Sequence, residues 1–202
     1  PNVKIIGLTA TPYRMTTGNI CGPDNILNEI CYEIGIKELI EKGYLCNIRA
    51  KSGQDKIDTS KLHIRGGEYV AGEIAELMDR EILVKNAVRE ILQLTKDRRG
   101  VLIFATSIEH GQHIQSEIIR QGEPCEMVTG KTPTAKRDDM ILDFKAMRQK
   151  YLVNINVLTT GFDAPHVDCI AMLRPTLSPG LFYQMTGRGF RICDGKKDCL
   201  IL

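Results

Sequence analysis

No two cysteines in this 202-residue sequence are spaced Cys-x-x-Cys. The seven present (Cys21, Cys31, Cys46, Cys125, Cys169, Cys193 and Cys199) are odd in number and irregularly placed, which argues for reduced thiols in a cytoplasmic protein and against a zinc ribbon or disulfide framework. Long apolar runs are missing too. Stretches such as 101–105 and 170–173 are far shorter than the ~20 residues that span a bilayer, and no signal peptide precedes them. Neither sign of charge is in excess: 27 Lys and Arg against 25 Asp and Glu leave a formal +2, so bulk charge says nothing about nucleic acid. Low-complexity segments and internal repeats are absent as well. What remains, 43% hydrophobic and 26% charged residues, is the composition of a soluble globular chain, long enough for one large α/β domain or a domain plus part of another.

The first apolar run, 3–8, reads as a strand that leads directly into Thr9-Ala10-Thr11-Pro12. A buried strand at the outset suggests that residues 1–45 are the tail of an upstream unit. They end in an amphipathic helix, 36–43, stopped by a glycine. Residues 46–80 are polar and carry Gly53, Gly66 and Gly67; they read as a connection with short elements. From there the pattern alternates: helix 81–96, strand 100–105, helix 108–121, strand 125–128, helix 135–147, strand 151–158, strand 167–173, helix 180–190 and strand 198–202. Near-continuous apolar strands separated by helices predict a doubly wound, mostly parallel α/β sheet over 46–202.

In such sheets ligands sit beyond the carboxyl ends of the strands. There the sequence is small and polar: Thr106-Ser107 after one strand, Thr129-Gly130-Lys131-Thr132 after the next, Thr159-Thr160-Gly161-Phe162-Asp163 after the third. Hydroxyls and free N–H groups at helix N-termini form a phosphate-binding row, or else simply cap their helices. Downstream, Gln184, Arg188 and Arg191 are spaced i, i+4, i+7, which puts them on one face of a helix begun by Ser178-Pro179. Two forked guanidiniums and an amide suit the oxygens of a triphosphate; the bland alternative is a solvated basic helix. His110 and His113, three apart, could begin a metal site, but no second ligand pair accompanies them, and a solvated helix face competes.

The four segments resemble, in order, motifs III (Thr9-Ala10-Thr11-Pro12), IV (Val101 to Ala105), V (Thr159 to Asp163) and VI (Gln184 to Arg191) of superfamily 2 helicases. Within the superfamily, residues 99–110 and 151–191 resemble bacterial RadD-type DNA repair proteins, with the helicase subunits of type III restriction systems next. The resemblance implies a RecA-like helicase C-terminal domain acting on ATP and Mg²⁺ and on DNA, with DNA repair the expected setting and the cytoplasm, at the nucleoid, the expected place. It makes Arg188 and Arg191 arginine fingers with Gln184 beside them, sets Gly161 and Asp163 near the nucleotide, assigns Thr106, Thr129, Gly130, Thr159 and Thr160 to the DNA backbone, and makes Thr9 and Thr11 couple nucleotide state to lobe position. Phe190 stands where many relatives have glycine, a departure from the RNA-unwinding branch.

The chain contains no Gly-x-x-x-x-Gly-Lys-[Ser/Thr] loop and no Asp-Glu pair before the Thr-Ala-Thr-Pro turn. The groups for the β-phosphate and Mg²⁺ are therefore expected on an upstream lobe, and the chain alone is expected to be inactive. A nucleic-acid-binding or protein-docking module on the same fold, without turnover, and the motor subunit of a restriction enzyme are the competing readings.

Overall fold

The computed structural model describes residues 3–14, 18–158 and 162–202. A ladder of β1 (Tyr13–Arg14) with β2 (Gly18–Asn19) and a short helix α1 (Ile36–Glu41) precede the main body. Gly43 at φ 73° ends α1, its N–H returning to Ile40 O and that of Tyr44 to Leu39 O, so the expected glycine stop is in place. The expected strand at 3–8 is not formed. Its side chains find no ladder, and Ile6 is 82% and Leu8 96% exposed, so apolar content alone does not make a strand where no neighbour supplies hydrogen bonds.

The body is one six-stranded sheet. β3 (Asn47–Ala50), β6 (Val101–Phe104), β7 (Cys125–Thr129), β8 (Tyr151–Ile155), β9 (Cys169–Met172) and β10 (Asp198–Ile201) lie in the order β3-β10-β9-β6-β8-β7, every neighbouring pair parallel. Alternate residues of each strand feed two cores. Val101 and Ile103, with Tyr151 and Val153, pack under α3 (Glu81–Leu94) and α4 (Ile108–Arg120). Leu102 and Phe104, with Leu152 and Ile170, pack on the other face under Phe144 of α5 (Thr134–Lys145) and Met185 of α6 (Pro179–Thr186). Both faces being covered explains why these strands read as continuous apolar runs, and the fold is the doubly wound, RecA-like α/β sheet expected.

Residues 46–80 hold more order than their polarity suggests. β3 is the edge strand, largely solvated on both faces, so no apolar pattern marks it. Gly66 and Gly67, at φ 61° and 80°, form the two-residue turn between β4 (Ile64–Arg65) and β5 (Glu68–Tyr69), the backbone a tight hairpin demands. Helix α2 (Ala71–Met78) follows and buries Ile74 and Met78.

Two expected elements stop early. The strand expected to reach residue 158 ends at Ile155, because Asn154 Oδ1 accepts the N–H groups of Val157 (3.1 Å) and Leu158 (2.9 Å) and folds the chain into a turn, with Asn156 at φ 56°. The helix expected over 180–190 is α-helical only to Thr186 and then tightens to a 3₁₀ turn, Gly187–Gly189. A β-carbon on Gly189 would lie 2.3 Å from Cys199 Sγ and 3.0 Å from Ile170 Cγ1. The turn therefore presses its backbone directly onto β9 and β10, which only glycine permits.

Candidate functional site

The arginine corner begins with how α6 starts. Pro179 occupies its first turn and Ser178 Oγ accepts the Leu181 N–H at 3.2 Å. The preceding turn is braced by the hairpin: Glu68 accepts the Leu177 N–H at 2.9 Å and the Thr176 hydroxyl. Burial alone would raise the Glu68 carboxyl, but hydrogen bonds from Thr176, Leu177, Tyr69 and Ser178 outweigh it and hold the group below its ordinary range. Residues 46–80 thus help to aim α6.

At the far end of α6, Arg188 donates from Nε to Gln184 O (3.3 Å) and from Nη1 to Phe162 O (2.6 Å). Phe162 is itself fixed, buried with its ring 6.2 Å from that of Phe144 and Lys145 Nζ 5.8 Å above it. Arg191 pairs with the Asp163 carboxylate. Arg188 and Arg191 are therefore tied to adjacent residues, Phe162 and Asp163, although not by helical spacing: Arg191 lies beyond the 3₁₀ turn, in a bridge with Leu45, so the three expected side chains do not share one helix face. Gln184 is half-buried, and its carbonyl, through Arg188, is what joins it to the cluster. Burial, and then the neighbouring Arg191, push the Arg188 guanidinium below its ordinary pKa, with Asp163 opposing. Two cations within electrostatic reach of each other and of the exposed Asp163 carboxylate suit an incoming anion.

Thr9 and Thr11 lie near the other end of α6. Thr9 Oγ1 accepts the Thr11 N–H at 3.0 Å, and a β-carbon on Gly180 would meet the Thr11 methyl at 3.8 Å, so the Thr-Ala-Thr-Pro turn abuts the helix start.

The hydroxyl row lies at the ends of β6 and β7. Thr106 Oγ1 is 2.8 Å from His110 Nδ1, which also receives the Thr106 N–H at 3.3 Å. His110 is 1% exposed, and burial pushes its pKa down to about 4, so its ring is neutral near pH 7 and Nδ1 accepts from the Thr106 amide. His110 is thus no part of a solvated face. His113 pairs with Asp79 at 2.7 Å, and among the described residues no three potential ligands cluster for a metal. Thr129, 5% exposed, accepts the Lys131 N–H at 3.0 Å, while its own N–H goes to Thr132 Oγ1 at 3.0 Å. Gly130 is exposed beside it, with open space around its Cα. Thr159, Thr160 and Gly161 lie outside the described residues.

One side chain on this edge escaped the sequence reading. Arg174 follows β9, half-buried, and reaches Asn156 beyond β8. Its position directly after the expected strand 167–173 was the available signal.

Comparison with known proteins gives the family of the chain. The family profile described as "Helicase conserved C-terminal domain" matches residues 84–193. Two yeast proteins, both named as putative ATP-dependent helicases, are similar over 99% of the chain. They are irc3 of Schizosaccharomyces pombe, named as mitochondrial, at 32% identity over 32% of its own length, and IRC3 of Saccharomyces cerevisiae at 28% over 29%. The chain thus spans about a third of the length of these relatives. Among solved structures, the fragment of a putative HsdR subunit of a type I restriction enzyme from Vibrio vulnificus YJ016 superposes with a TM-score of 0.70 at 19% identity, over 87% of this chain and 35% of that one. At that identity it speaks for the fold alone.

Proposed function

The chain belongs to the helicase conserved C-terminal domain family of superfamily 2, and from that premise we propose that it is the second motor lobe of an ATP-dependent DNA helicase or translocase working in DNA repair. The observation that carries the reading is the convergence of Arg188 and Arg191, beyond the end of α6, on the adjacent residues Phe162 and Asp163. ATP supplies the phosphoryl group, with Mg²⁺ held by the upstream lobe. Arg188 and Arg191 hold its terminal phosphate and stabilise charge that develops as the bond breaks, the task for which a planar, permanently charged fork is suited. Asp163 keeps Arg191 aimed until the anion arrives, and Thr11, against the start of α6, relays that event to the other lobe.

The strand-end row serves the nucleic acid. Thr106, Thr129, Gly130 and Arg174 face the backbone of one strand, a role that the motif resemblance extends to Thr159 and Thr160. Contacts of this kind read phosphates and not bases. DNA is the polymer of this reading, since Phe190, where many relatives have glycine, sets the chain apart from the RNA-unwinding branch. The deciding experiment measures ATP turnover of the full-length protein with DNA or RNA added, alongside Arg188→Ala and Arg191→Ala. Turnover stimulated by DNA and lost in both variants, with binding of DNA retained, is the expected result. Unchanged turnover in both variants would return the corner to a solvated basic turn and leave a binding module without catalysis.

A further inference from the structure

Lys196 lies outside every motif named above, yet its ammonium group sits at the junction of two of them. The tight turn that carries it, with Gly195 at φ 75° and the Lys196 N–H on Cys193 O at 3.0 Å, is tied back to Arg99 through Asp194 O. From there Nζ donates to Val167 O (2.6 Å), Gly189 O (2.6 Å) and Arg191 O (2.7 Å), and shares a longer contact with Pro165 O (3.2 Å). Three short bonds use its three protons, and their geometry is complete without any carboxylate. Two of these carbonyls belong to the chain that follows Asp163, the other two to the turn that carries Arg188 and Arg191.

From the opposite side the same turn is held by the segment before β3: the Cys46 N–H goes to Phe190 O at 2.8 Å, Cys46 Sγ approaches Gly189 O at 3.4 Å, and Leu45 bridges Arg191. Glycine at 189 lets the turn lie flat on β9 and β10. The backbone of 189–191 is thereby clamped between an edge segment and a lysine, with Phe190 buried and the Arg191 side chain projecting.

We propose that Lys196 is a positioning residue for the arginine corner: by gripping the carbonyls of Val167, Gly189 and Arg191 it sets the distance between the loop bearing Asp163 and the turn bearing Arg188 and Arg191. This rests on the catalytic reading of those arginines. A guanidinium displaced by even 1 Å loses much of its hold on a transition state while ground-state binding changes little. The donor protons of Lys196 matter as well as its shape, because these part-buried carbonyls would each lose a hydrogen bond without it.

The test is a double-mutant comparison in the full-length protein. Lys196→Met should lower DNA-stimulated kcat by about 10- to 100-fold, with KM for ATP and affinity for DNA within about three-fold of wild type. Lys197→Ala, an exposed neighbour, should leave turnover as it is. Because Lys196 acts through the arginines, Lys196→Met should cost much less, about two- to five-fold, in an Arg191→Lys background than in the wild type. A merely structural lysine would impose the same factor in both. Should Lys196→Met not fold, Lys196→Gln, which retains two N–H donors, carries the same comparison. Equal factors in the two backgrounds, or wild-type kcat in a folded Lys196 variant while Arg191→Ala is impaired, would overturn the proposal and spare the motor reading. Wild-type turnover in Arg188→Ala and Arg191→Ala would remove the reading on which it rests.

Discussion

At the ends of β6 and β7 the polar side chains already have partners within a few residues, whereas the arginines beyond α6 are held by segments far away in the chain. Thr106 is joined to His110 and Thr129 to Thr132 and the Lys131 amide, each across four residues or fewer. Arg188 and Arg191 reach residues 162 and 163, and their turn is fixed by Cys46. A local network can be no more than a helix cap. One assembled from distant segments at the cost of bringing two cations together has no comparable local purpose. On the proposed reading the contrast teaches that the corner is built for an anion, while the hydroxyl row would offer an external phosphate only what its caps can spare.

The largest effect is expected at the corner itself. Arg188→Ala or Arg191→Ala in the full-length protein should cut DNA-stimulated kcat by about 10² or more, with less change in nucleotide affinity. Lysine at either place should rescue poorly, because a point charge does not reproduce the fork; steady-state kinetics check both. If the threonine row lost as much turnover on substitution, the contrast would be broken.

Gly189→Ala should come next. Its β-carbon would stand 2.3 Å from Cys199 Sγ, and forcing the turn off β10 should cost about 1–3 kcal/mol in urea unfolding as well as lowering kcat. A stable, fully active Gly189→Ala would show that the turn need not lie flat.

His110 gives the row its own signature. With its folded pKa pushed down to about 4 from 6.5, the unfolded chain binds the extra proton first. The stability due to the neutral ring is therefore present above pH 6.5 and is lost as pH falls toward 4, up to about 3 kcal/mol in all. The drop in unfolding midpoint between those values should be smaller in His110→Gln than in wild type. An identical pH dependence would mean that His110 titrates in the folded protein as it does in the unfolded chain.

The smallest effects belong to Thr106→Val and Thr129→Val. Each should weaken DNA binding only about two- to five-fold, alike for unrelated sequences, while basal ATP turnover stays put, as titrations at two salt concentrations would show. A sequence-dependent loss would point to base contacts instead.

Much of the fold was legible because a sheet covered on both faces writes its strands as apolar runs: 101–104, 151–155 and 169–172 stand out for that reason. β3 was not, since an edge strand with solvated faces carries no such mark, and 3–8 misled for the converse reason. The sequence by itself determined the doubly wound class, the polar strand ends and the presence of the paired arginines, all matters of periodicity and local spacing. Only the tertiary structure decided that α6 stops at Thr186, that Arg191 meets Asp163, and that Lys196 joins the two segments behind them. Those facts depend on how closely Gly189 can approach Cys199 and on which carbonyls lie within reach of one ammonium group, and such distances between remote parts of the chain exist only once it has folded.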